Sequence, residues 1–293
     1  MKRGYVDTPE GQIHYNMDGT GEPLLLLHQT GSSRIYWKLM PLLSKEYRVF
    51  APDNLGEGNS DPLPPNAEIR DMARSYIHFM DALGLETARI FGMHTGNKIG
   101  TELGAGWPSR VDGLILCGHT HSIQADHKDQ VAVMGAMERP LLRKFQPSPD
   151  GSHLFKQWAT EFNTLTVIWW GAGSLLQEKL TPELLQLRRE RVLDLLQARD
   201  MTEKYRAIFA FDLAGRMHDI KVKKTLIVEI RVPDEAPLNP QGPKLLKIIP
   251  NSRLVTVQHT GSGKAVEAKA DEIAEIILSF LKEVREARTT ADT

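Results

Sequence analysis

The residues of this chain best suited to chemistry are histidines, and one of them has an unusual setting. His94 stands between glycines in Gly92-Met93-His94-Thr95-Gly96, after the short apolar run Ile90-Phe91 and before small and apolar residues consistent with a helix. That order reads as strand, sharp turn, helix. A residue at the apex of such a turn is held in a strained backbone, and a side chain at either flanking glycine would strike the neighbouring strand or helix. An imidazole in the first turn of a helix feels the positive end of the dipole, which disfavours its protonated form and leaves it available as base or nucleophile. His28 ends another apolar run. His119 and His121 form an H-x-H pair after a third, and with His94 they would offer three nitrogens to a zinc ion. Two residues that far apart share a face only where the chain stays extended. The pair reads equally as pocket lining, and no metal is assigned. Lys264 is a loop lysine, either solvated or in contact with a ligand, and Cys117 ends a core strand and reads as packing.

Such groups need a scaffold, and the rest of the chain describes one. Tyr5-Val6 and Ile13-His14-Tyr15 flank a turn at Pro9-Glu-Gly-Gln and read as an antiparallel hairpin. Leu24 to Leu27 is an unbroken apolar run, as expected of a strand buried on both faces. Trp37 to Leu43 suits a helix and Tyr47 to Pro52 the next strand. Ala67 to Leu83 carries helical spacing in Ile69, Ala73, Ile77 and Met80 and stops at Gly84. Gly96, Gly100 and Gly104 leave one face of the helix after His94 nearly bare, so that it can lie close to the sheet. Pro108 closes that helix and Val111 to Cys117 forms a further strand. After Ser122 the alternation stops until Thr225 to Arg231, followed by a strand over Ser252 to Val257 and a helix over Ala270 to Leu281. Strands alternating with helices imply a parallel sheet covered on both faces, with ligands gathered at the strands' carboxyl ends.

Composition narrows the classes. Lys and Arg total 36 against 37 for Asp and Glu, which gives no electrostatic argument for nucleic acid or an anionic membrane. One cysteine excludes an internal disulfide and points to a reducing compartment. No stretch resembles a signal peptide or a spanning helix. These features predict a cytoplasmic protein with a small-molecule substrate or ligand, no cofactor, no nucleic-acid or membrane partner, and a homo-oligomer as an open option.

With Ser in place of His94 the turn would be G-x-S-x-G, and the stretch resembles the nucleophile elbow of the α/β-hydrolases. His28-Gln-Thr-Gly-Ser-Ser33 resembles the H-G-x-G loop of that superfamily, with Gln29 in the second position, and the resemblance implies a structural hydrogen-bonding role for His28. Asp53-Asn-Leu-Gly-Glu-Gly-Asn-Ser-Asp-Pro62 resembles its D-x-x-G-x-G-x-S-x-x-P loop. The three motifs stand in the superfamily's order and spacing over the first 110 residues. The resemblance implies an oxyanion hole from the backbone N–H groups of Gln29 and Thr95. It also implies an acid after the strand ending at Arg231, best matched by Asp234 with Glu235 as the fallback, and a histidine after the last strand. Counting places that histidine at Ser262, Gly263 or Lys264, none of which is one, while His259 falls early.

The expected fold is therefore an α/β-hydrolase: a mostly parallel sheet with helices on both faces, a core from residues 1–121 and 220–293, and an inserted helical cap over 122–219. Trp158, Phe162, Trp169 and Trp170 would supply an apolar ceiling to the pocket or hold the cap together. His28, His119, His121, Trp169, Trp170 and Lys264 are the expected pocket residues. The expected activity is that of a hydrolase or related lyase on a small, largely apolar carbonyl compound, with His94 as base or nucleophile. The competing reading is a non-catalytic binding protein that keeps the pocket. A further possibility is an exchanged pair, with the Ser262 hydroxyl near the His94 ring; Asp234 would then face Ser262 and another group would have to align the imidazole.

Overall fold

A computed structural model describes residues 1–118, 148–155, 182, 189, 193, 202–231, 240–260 and 265–289. Among these residues the strands are β1 (Lys2–Thr8), β2 (Gly11–Asp18), β3 (Pro23–Leu27), β4 (Arg48–Pro52), β5 (Ala88–Met93), β6 (Val111–Cys117), β7 (Thr225–Arg231) and β8 (Ser252–Gln258). They form one sheet in the order β1-β2-β4-β3-β5-β6-β7-β8. Only β1 with β2 and β2 with β4 pair antiparallel; every other neighbour is parallel.

The apolar runs are continuous because both faces of the sheet are covered. In β3, Leu25 and Leu27 enter one buried cluster and Leu24 and Leu26 the other, as the two-residue period of a strand requires. The first face is covered by α2 (Ile69–Ala82) and α3 (Thr95–Gly106), the second by α1 (Leu39–Leu43) and α8 (Ala270–Thr289). Further helices among the described residues are α4 (Thr202–Ala210), α5 (Leu213–Met217), α6 (Gly242–Ile248) and α7 (Ala265–Ala268). No helix among the described residues is long and apolar enough to cross a membrane.

Two elements differ from expectation. The helix expected from Trp37 begins only at Leu39, because Ser32 Oγ accepts the Arg34 N–H at 3.3 Å and sets a 3-10 turn over Ser33–Tyr36 first. The last helix runs past Leu281 to Thr289, since Val284 prolongs its buried stripe. Most of the expected cap lies outside the described residues. Within its span, α4 and α5 pack on the core: Ile208, Leu213 and Met217 join the cluster beneath α3, and Arg216 holds the buried Glu102 of α3 through two bonds of 2.6 and 3.0 Å.

Candidate active site

The elbow is built by close backbone approach. A Cβ on Gly92 would sit 2.2 Å from the Gly96 carbonyl oxygen, and one on Gly96 would sit 1.9 Å from that of Leu27. No side chain survives such contacts, so the two glycines let α3 turn back onto β3 and β5. The apex is His94, at φ 47° and ψ −100°. Such a conformation is rarely adopted by a residue with a side chain and persists only where its surroundings impose it. Here they do. The His94 N–H donates to Cys117 O at 3.1 Å, and the His94 carbonyl accepts from Asn97 N at 3.1 Å and Lys98 N at 3.3 Å. The ring lies over Gly118, where a Cβ would come 2.9 Å from Nε2. The imidazole is thus turned toward the carboxyl end of β6, and it is partly exposed.

Thr95, the next residue, meets the loop after β3: its Oγ1 lies 3.5 Å from Thr30 Oγ1. Gln29 precedes that contact by one residue and is partly exposed. His28, expected both as a hydrogen-bonding member of its loop and among the pocket residues, makes hydrogen bonds inside the protein. It is fully buried, its Nε2 accepts the Asn54 N–H at 2.9 Å, and its Nδ1 lies against Gln29 O. Burial, only partly opposed by the charges of Glu57 and Asp53, lowers its proton affinity. His28 is therefore a neutral ring that carries the loop, with both nitrogens engaged inside the protein.

Below the loop is a buried polar layer. Asp53 accepts from Ser33 N at 2.8 Å and Asn59 N at 3.0 Å, and pairs with His14 Nδ1 at 2.8 Å. Burial works to raise its pKa, yet the His14 bond and the Ser33 and Asn59 amides hold it at about 2. On α3, one turn beyond the apex, burial brings Lys98 down to about 7. Neither the His14 to Asp53 pair nor the burial of Lys98 was anticipated. The sole sequence signal for the latter was a lysine inside a run of small and apolar residues.

Asp234, Ser262, Lys264, His119, His121, Trp169 and Trp170 lie outside the described residues, as do Glu235 and Gly263. Among the described residues no group of three or more His, Cys, Asp or Glu side chains is arranged to hold a metal.

The eight-stranded fold is shared with known proteins. The family model described as the alpha/beta hydrolase fold covers residues 22–207, and the chain belongs to that family. It is 28% identical over 287 residues to the 2-hydroxy-6-oxo-6-phenylhexa-2,4-dienoate hydrolase of Comamonas testosteroni, covering 94% of this chain and 93% of the relative. It is 33% identical over 138 residues to haloalkane dehalogenase 2 of Mycobacterium bovis, 46% of this chain and 48% of that protein. The enol-lactonase of Burkholderia xenovorans LB400 shares the fold at a TM-score of 0.70 and 20% identity, covering 95% of this chain and all of that one.

Proposed function

We propose that the chain is an enzyme of the α/β-hydrolase family acting on a small, largely apolar carbonyl compound such as an ester, lactone or diketone. The observation that carries this reading is the strained apex: His94 is held at positive φ, partly exposed, beside the Thr30 to Thr95 contact. The names of two similar proteins, an oxo-dienoate hydrolase and an enol-lactonase, supply the carbonyl class. His94 acts as base toward water or as nucleophile, and the amides of Thr95 and Gln29 receive the developing oxyanion. The part of residues 122–219 that precedes the core-packed α4 serves as the cap that excludes water. Asp234 and Ser262 are the groups to test as partners of the imidazole.

The absence of serine at the elbow and of histidine at Ser262 favours a second reading, a pocket that binds without turnover. A panel of esters, lactones and diketones, incubated with the protein and read by mass spectrometry, separates the two. Product formed at a saturable rate supports the enzyme. A ligand-dependent rise in melting temperature with the ligand recovered unchanged supports the binding protein.

A further inference from the structure

One buried carboxylate under the oxyanion loop has no task in the reading above. Glu57 is 1% exposed. Its Oε1 accepts the Gly31 N–H at 2.6 Å, and its Oε2 accepts from Asn54 Nδ2 at 2.8 Å and lies directly against Lys204 Nζ. Asn54 is fixed in turn by the Tyr76 hydroxyl at 2.6 Å and by its own N–H on His28. Lys204 belongs to α4, the helix that follows the inserted segment. Two further contacts seat α4 on the same stretch of chain: Arg206 Nη2 donates to Ala67 O, and Asn66 N to Glu203 Oε2, each at 3.3 Å.

A buried ion pair is weak evidence of stability, because desolvation offsets its attraction and a well-packed apolar pair often does as well. What this pair does that an apolar pair cannot is accept the Gly31 N–H. With that N–H bonded to Glu57, Gly31 offers no amide to a ligand, and its fixed position sets that of the Gln29 and Thr30 amides before it in the chain. A lone carboxylate so close would also oppose an anion forming there, and the lysine ammonium offsets its charge.

We propose that Glu57 is a positioning residue of the oxyanion loop, fixing Gly31 and through it the Gln29 and Thr30 amides, and that Lys204 makes this setting depend on the docking of α4. The proposal builds on the oxyanion role given to this loop above. Its test compares two double variants of the full chain, neither of which leaves a buried charge unpaired. In Glu57→Met with Lys204→Met the Gly31 amide loses its acceptor. In Glu57→Gln with Lys204→Met it keeps an amide oxygen. Hydrogen exchange at the Gly31 amide is expected to speed up about ten- to hundred-fold in the first, the fold-change that a bond to a charged group represents. It should return most of the way to wild type in the second, with the β1 to β2 hairpin unchanged in both. With p-nitrophenyl butyrate as substrate, kcat falls at least about tenfold in the first variant and KM changes little. Equal Gly31 exchange in the first variant and wild type overturns the proposal, as does an unchanged kcat with a loosened Gly31. A loosened Gly31 in a chain that turns over no substrate upholds the hold on the loop and rejects only the enzymatic reading.

Discussion

His28 and His94 end or follow neighbouring strands, β3 and β5, yet their surroundings are opposite. His28 lies in an unstrained, fully buried layer where each nitrogen has a partner and the adjacent Asp53 is held ionised. His94 lies on a backbone at positive φ, beside glycines that must be glycine, one turn before a lysine whose charge is costly to bury. The imidazole after β3 is thus committed to holding its own loop, whereas the turn after β5 carries strain that stability alone does not require. Sites that keep local conflicts are where function is expected.

The contrast can be broken or sharpened by substitution. Gly96→Ala should have the largest effect, because the new Cβ meets a β3 carbonyl at 1.9 Å and a backbone atom cannot yield as a side chain can. A loss of about 3 kcal/mol or more in urea denaturation is expected. A smaller loss would mean that the elbow is less tightly built than described.

Lys98→Met and Asp53→Asn should act with opposite signs. The folded pKa of Lys98, about 7, lies below its ordinary 10.5. Its burial therefore costs stability in full at pH below about 7, and the cost fades as pH rises toward the unfolded value. Lys98→Met should stabilise by a few kcal/mol at pH 6 and by much less at pH 10. Asp53 is depressed from 3.8 to about 2. It contributes about 2 kcal/mol that is present above its unfolded value and lost as pH falls through 2. Asp53→Asn should remove that amount at pH 7 and flatten the acid limb of the stability profile. Thermal melts across pH check both, and matching signs would erase the difference between the two regions.

The smallest effect belongs to His94→Gly, which relieves the positive φ and should raise stability by about 1 kcal/mol despite the freer unfolded chain. A clear loss on guanidinium denaturation would mean that the imidazole is a packing group.

The apolar runs and the spaced glycines made most of the fold legible, because strand burial on two faces and the helix-on-strand approach leave direct marks in sequence. Gly92 and Gly96 announced the elbow for the same reason. The loop pattern implied a hydrogen-bonding role for His28 but not its partner, since nothing in the motif marks the Asn54 amide that its Nε2 accepts. Glu57 with Lys204 was invisible, because the partners are far apart in sequence and meet only once α4 returns to the 54–67 loop. The extent of α8 was underestimated where the apolar period continues at Val284 among charged residues.

The most direct test of the account is the rate of product formation by wild type and His94→Ala on the best ester, lactone or diketone of the panel, with both proteins shown to be folded. A base or nucleophile at the apex predicts a fall of at least about 10²-fold in kcat. Equal rates would contradict the claim that the strained histidine does the chemistry.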